Sequence, residues 1–222
     1  MMPIKVCGIT NMDDAQFVAN NGVSAIGFIF YEKSPRYIDP KLAFKIVASI
    51  KTSIAFVGVF VNESFDVVNS ISKEVGLDFV QLHGDEKPSY CDKIKSPVIK
   101  VFKIADFFNV EILNDYDVHA FLFDTHDENL NGGTGKDFDW SLISRLNVGC
   151  PIILSGGLNE LNVNDGIKVV MPNAIDVNSG IEKRPGIKHH GKIISLFNTI
   201  NEGSGLIDPF RRMKKREFRD GI

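Results

Sequence analysis

The chain has 222 residues, of which 44% are hydrophobic and 24% charged, and its formal charge is −3. That balance suits a soluble globular protein and gives no electrostatic reason to expect nucleic acid or an anionic membrane surface as a partner. A length near 220 residues fits one large core, since α/β barrels of roughly 200–250 residues commonly form a single domain.

The three cysteines, Cys7, Cys91 and Cys150, are far apart and fall into no metal-ligand spacing. Their odd number, with no leader-like charged and apolar start, points to a reducing cytoplasm rather than a disulfide framework. No apolar run approaches the ~18 residues of a membrane span.

In chain order, short apolar runs rich in β-branched and aromatic residues recur, each followed by a turn and an amphipathic stretch. The first run, Ile4–Cys7, leads through Gly8 to a helix whose cap and acidic first turn are Asn11-Met12-Asp13-Asp14 and which closes at Asn21-Gly22. Ala25–Phe30 precedes a helix with Asp39 as cap and Pro40 at its first position. Ala55–Val61 precedes one opened by Ser64 and ending near Val75-Gly76. Phe79–His83, Val98–Lys103, Ala120–Asp124, Pro151–Ser155 and Ala174–Asn178 complete the predicted strands. Shorter helices are expected at Lys87–Ile94, Ala105–Asn114, Trp140–Leu146, Asn159–Lys168 and Ile187–Ile200. Continuous rather than alternating apolar runs suit strands buried on both faces. Eight strand-then-helix units predict an α/β fold, a single-domain (β/α)8 TIM barrel over residues 1–202. The alternative, an open doubly wound sheet, would want a nucleotide loop after the first strand, where this chain has Cys-Gly-Ile-Thr.

Chemistry in such a barrel belongs at the C-terminal ends of the strands, and the unusual residues fall there. Cys7 ends the first strand; its thiol can act as base or nucleophile where its surroundings lower a pKa of roughly 8.5, although free cysteine is commonly a small buried hydrophobe. Gln81 and His83 end the fourth strand, and His83 can bond a ligand or orient a neighbour. Asp124 leaves the apolar run Phe121-Leu122-Phe123, an environment that raises a carboxyl pKa and suits a general acid; a helix cap or a lysine-bound carboxylate is the other reading. Ser155-Gly156-Gly157 and Asn178-Ser179-Gly180 follow the seventh and eighth strands, where barrels often bind phosphate through exposed backbone N–H groups; plain tight turns are the alternative. Arg36, in Ser34-Pro35-Arg36-Tyr37, can grip a carboxylate bidentately or lie in solvent. The run Asn131–Lys136 lacks nucleotide-loop spacing and is expected to be a mobile lid. A small phosphorylated metabolite is the implied ligand. Cys7 and Asp124, on different sides of the mouth, would offer it one proton acceptor and one proton donor, as an isomerisation needs.

These stretches resemble the phosphoribosylanthranilate isomerase family of tryptophan biosynthesis. The matching segments are Lys5–Thr10, Gly27–Phe30 with Ser34–Tyr37, Gly58–Phe60, Val80–Glu86, Phe123-Asp124, Gly132–Lys136 with Phe138–Trp140, Leu154–Leu158, Asp176–Glu182 and Pro185-Gly186, in the family's order. The resemblance implies an Amadori rearrangement of N-(5-phosphoribosyl)anthranilate to 1-(2-carboxyphenylamino)-1-deoxyribulose 5-phosphate. It makes Asp124 the general acid and Cys7 the general base, gives Arg36 the anthranilate carboxylate and the two glycine turns the phosphate, and implies no metal or organic cofactor. A different phosphosugar isomerase or epimerase on the same barrel, or a phosphometabolite-binding protein without catalysis, are the rivals; an epimerase would want metal ligands or paired carboxylates, and the histidine-pathway isomerase a second aspartate where Cys7 stands.

Two departures stand out. His189-His190 replace the family's common aspartate after Lys188, which leaves the capping of the last helix open. Residues 203–222 form a basic extension, expected to be flexible or helical, with six Lys or Arg against one Glu over 211–219; such blocks are often solvated and sometimes dock a partner, here a pathway enzyme.

Overall fold

The computed structural model describes residues 2–104, 108–124, 140–144, 146, 148–200 and 208–211, with backbone only for Ser141. Eight parallel strands close into a barrel in sequential order. They are β1 (Ile4–Val6), β2 (Ala25–Ile29), β3 (Ala55–Phe60), β4 (Phe79–Leu82), β5 (Val98–Lys103), β6 (Ala120–Asp124), β7 (Ile152–Ser155) and β8 (Ala174–Val177), with β8 pairing back onto β1 at Ile4↔Ile175 and Lys5↔Asp176. All eight predicted strands are present, within a residue at each end.

The outer layer is less regular than the sequence suggests. Helices α1 (Met12–Asn20), α2 (Pro40–Ser49) and α3 (Phe65–Val75) form where their caps predict, and the Asn11, Asp39 and Ser64 side chains each accept a hydrogen bond from a first-turn N–H. The next, α4, is a single turn, Pro88–Cys91. The stretches expected as helices after β5 and β6 are 3₁₀ turns at Val110–Asp115 and Trp140–Leu142 where described, while residues 105–107 and the expected lid at 131–136 lie outside the described residues. Helix α5 spans Val163–Val170.

The segment Ile187–Ile200 divides. Glu182–Arg184 (β9) and Ile187–Lys188 (β10) pair antiparallel around Pro185-Gly186, and only then does α6 (His190–Thr199) begin. The paired histidines serve this junction. His189 caps α6, its Nδ1 accepting from the Lys192 N–H, while the His190 ring stacks on Phe17 at 3.8 Å and its Nε2 lies 2.8 Å from Asp14 Oδ1.

Strand side chains alternate between two cores. One lies between barrel and helices; the other fills the barrel. At the N-terminal end of the barrel the first residues of five strands, Ala25, Ala55, Phe79, Ala120 and Ala174, share a cluster with Phe210, which is 2% exposed. Four small alanines leave room for one large ring. Within the extension expected to be flexible or helical, Asp208–Arg211 thus forms a docked turn. Asp at its first position and Pro at its second favour a turn; Arg211 N–H donates to Asp208 O, Pro209 O lies 2.7 Å from His119 Nε2, and Phe210 meets Phe79 edge to face. Residues 203–207 and 212–222, with most of the basic block, lie outside the described residues.

Candidate active site

The opposite end of the barrel carries an open cleft of ≈ 190 Å³. All ten residues singled out by sequence line it: Cys7, Arg36, Gln81, His83, Asp124, Gly156, Gly157, Asn178, Ser179 and Gly180. Ser155 and Asp176 join them, and Ile29, Val59 and Leu158 supply apolar wall.

Each is placed by its strand. Cys7 follows β1, its backbone N–H donating to Val177 O, and it is 4% exposed. Burial pushes its thiol up rather than down, against the pull of Lys5 and Lys188. The lowering of this thiol's pKa that a base needs is therefore not realised in the open site, where burial outweighs the two lysines. Across the barrel Asp124 ends β6, half-buried, with Oδ2 3.4 Å from His83 Nε2. His83 in turn follows β4, in a loop that a buried cation braces. Lys100 Nζ donates to Gly84 O and Glu86 Oε2, and Glu86 accepts from the Gly84 and Asn62 N–H groups.

Arg36 is not a solvated loop residue. Its Nε and Nη2 grip Glu182 at 2.8–3.1 Å, and Lys188 Nζ reaches the same carboxylate at 3.0 Å. Burial alone would raise the Glu182 carboxyl, but the bonds from Arg36 and the Lys188 charge hold it below its usual range. Among the described residues Nη1 of Arg36 has no hydrogen-bond partner, and Arg36 lines the cleft with its guanidinium already oriented by Glu182. Lys188 also donates to Asn178 Oδ1 at 2.9 Å, tying this cluster to the loop after β8.

The two glycine turns pack on each other. Gly156 and Gly157 both have positive φ, and a Cβ on Gly180 would fall 2.1 Å from Leu158 O. A side chain at Gly180 would push the turns apart. They thus present adjacent stretches of backbone at one end of the cleft, a geometry suited to an anion.

Among the described residues, two buried acceptors have no partner: Gln81 Oε1 and Asp176 Oδ1. Sequence reasoning found Gln81 and missed Asp176, together with Lys5, Glu182 and Lys188, all nearly closed to water. The available signal was a charged residue at every second place beside the unusual one: Lys5 two before Cys7, Asp176 two before Asn178.

A family model described as N-(5'-phosphoribosyl)anthranilate isomerase matches residues 4–199. The N-(5'-phosphoribosyl)anthranilate isomerase of Syntrophus aciditrophicus is 40% identical over 98% of this chain and 95% of its own length. Among solved structures, phosphoribosyl anthranilate isomerase from Thermotoga maritima superposes with a TM-score of 0.80 at 39% identity, over 90% of this chain and 98% of that one. A further structure of such an isomerase, in complex with reduced 1-(o-carboxyphenylamino)-1-deoxyribulose 5-phosphate, gives 0.75 at 36% identity, over 90% and 98%. With the match running from the first barrel strand to the last helix, the chain belongs to the N-(5'-phosphoribosyl)anthranilate isomerase family.

Proposed function

We propose that this chain carries out the Amadori rearrangement of N-(5-phosphoribosyl)anthranilate in tryptophan biosynthesis, as a cytoplasmic enzyme acting on a free phosphosugar rather than on nucleic acid or membrane. Asp124 protonates the ribose ring oxygen, and the ring opens to a Schiff base. Cys7 takes the proton from the sugar's second carbon, which leaves an enolamine. Proton transfer from the oxygen on that carbon to the first carbon gives the aminoketone, so no atom is gained or lost.

The observation that carries this reading is the placement of Cys7 and Asp124 on opposite walls of one cleft, from β1 and β6. A donor and an acceptor on two sides of a bound sugar act on different atoms, as the two proton transfers require. The glycine turns after β7 and β8 take the phosphate through backbone N–H groups. Arg36, braced by Glu182, takes the anthranilate carboxylate with its outer edge. Gln81 and His83 meet the substrate between them, and His83 also orients Asp124. The complex of a relative with a reduced phosphosugar product supports the same ligand class for this site.

The test follows loss of phosphoribosylanthranilate fluorescence with purified protein in EDTA, beside Asp124→Asn. Turnover that survives the chelator and disappears in the variant is expected. Substrate binding without turnover would make the chain a binding protein, and turnover undiminished in Asp124→Asn would remove the assigned acid.

A further inference from the structure

As the assigned base, Cys7 must work as a thiolate, yet it is nearly buried at the bottom of the cleft. Two charged side chains to which no substrate group is assigned, Lys5 and the cleft-lining Asp176, lie beside it. Lys5 precedes Cys7 by two positions on β1, so both side chains point into the barrel. Asp176 is its register partner on β8. Lys5 Nζ donates to Asp176 Oδ2 at 2.9 Å, and the two side chains are 0% and 6% exposed. On the other side β2 has Gly27, where an added Cβ would fall 2.8 Å from Cys7 Sγ and 3.1 Å from Lys5 Cε. The missing side chain leaves one gap that sulfur and lysine stem share.

A sealed ion pair is a poor stabilising device. Desolvation takes back most of what the charges gain, and apolar residues of like volume often do as well or better. The pair is better explained by what sits above it. An ammonium close to a thiol favours the thiolate, and does so more strongly where water is excluded.

We propose that Lys5, held in place by Asp176, is a positioning residue whose ammonium balances the negative charge of the Cys7 thiolate and so readies the base for the sugar carbon. This rests on the reading of Cys7 as that base. Asp176 keeps the cation charged: burial works against the Lys5 ammonium, but Asp176 and the sulfur outweigh it and hold its pKa above the ordinary value. The other charges around the sulfur give each substitution a definite sign. Lys188, from β10, favours the thiolate as Lys5 does, whereas Asp176 opposes it. Asp124 raises the Asp176 carboxyl pKa and His83 lowers it.

The pH profile of Cys7 alkylation by iodoacetamide, in a Cys91→Ser/Cys150→Ser background, tests this beside steady-state kinetics. Lys5→Met should move the alkylation midpoint up by about one pH unit and lower kcat roughly tenfold, with KM within about twofold. Lys5→Arg, which keeps the charge, should recover much of both. Asp176→Asn takes away an anion beside the sulfur while the thiolate itself still holds the Lys5 ammonium charged, so it should move the midpoint down, and it decides the matter alone if Lys5→Met does not fold. A packing role would not move the two variants in opposite directions, so an unmoved midpoint, or shifts of one sign, overturns the proposal. Opposite shifts with unchanged kcat would uphold the charge balance and remove Cys7 as the base.

Discussion

The docked turn at Asp208–Arg211 makes a prediction about stability that is separable from activity. Phe210 fills the floor of the barrel, at the end away from the cleft. Fully burying a phenylalanine contributes about 1.5–3 kcal/mol, and its edge-to-face contact with Phe79 a further ~0.5–1.5 kcal/mol. Against this, fixing the turn costs about 1–2 kcal/mol per ordered residue, less at Pro209 whose φ is already set. The bond between His119 and Pro209 O returns about 1 kcal/mol. These terms nearly cancel, so Phe210→Ala would release the turn rather than leave a sealed cavity. The loss is then mainly the exposure of Phe79 and the alanine ring, roughly 1–3 kcal/mol, below the ~3–5 kcal/mol of a Phe→Ala change in a closed core. For a chain of this size that lowers Tm by about 2–12 °C at ~2–4 °C per kcal/mol. Thermal unfolding by circular dichroism measures it, and kcat/KM at 25 °C should stay within about twofold. A Tm unchanged within about 1 °C would refute the docking, and a loss of kcat/KM in the folded variant would refute the separation of floor from cleft.

Three further outcomes are expected. Cys7→Ser should lower kcat by several orders of magnitude with little change in KM, because the base acts mainly in the transition state; near-normal turnover would remove Cys7 from the chemistry. Arg36→Met should raise KM roughly tenfold or more through loss of a charge-assisted fork, and an unchanged KM would show that the outer edge of Arg36 touches no substrate. Stability should fall in alkali: burial pushes the Cys91 and Cys150 thiols up to about 11, against roughly 8.5 in the unfolded chain. Between these values the unfolded chain has lost protons that the folded one keeps, so unfolding becomes easier as pH rises. The urea midpoint should decline from about pH 8.5 upward and decline less in Cys91→Ser/Cys150→Ser, whereas equal slopes in the two proteins would refute the assignment.

The barrel is legible in the sequence because strands buried on both faces must be apolar along their whole length, and eight such runs recur with turn residues between them. The helices are legible where a cap announces them, at Asn11, Asp39 and Ser64. After β5 a cap is not enough: Asn109 accepts from the Glu111 N–H, yet Val110–Asp115 settles for a 3₁₀ turn, as Trp140–Leu142 does. The hairpin Glu182–Lys188 is hidden because its strands are very short and Ile187 reads naturally as the start of the helix that follows. What fixes the hairpin is Glu182 meeting Arg36 from 146 residues away, and no local pattern encodes that. The Asp208-Pro209 turn is local, yet the cations after it draw attention to charge, and the ring of alanines that receives Phe210 comes from four separate strands.

The buried charges are the instructive omission, because their positions follow from the same alternation that hides them. In β1 the outward residues Ile4 and Val6 satisfy the apolar pattern, so Lys5 reads as a tolerated interruption. Inside a closed barrel there is no solvent for an inward lysine to reach, so it must find an anion on a neighbouring strand, and register gives it Asp176. Along the barrel axis the interior therefore changes character in steps: an apolar floor closed by Phe210, a charged layer of Lys5 and Asp176, then the thiol and carboxyl at the mouth. The middle layer costs stability that an apolar one would not. A fold free to fill its interior with valine, as it does at Val57, has a reason to keep charge in the middle layer only if the layer above uses it.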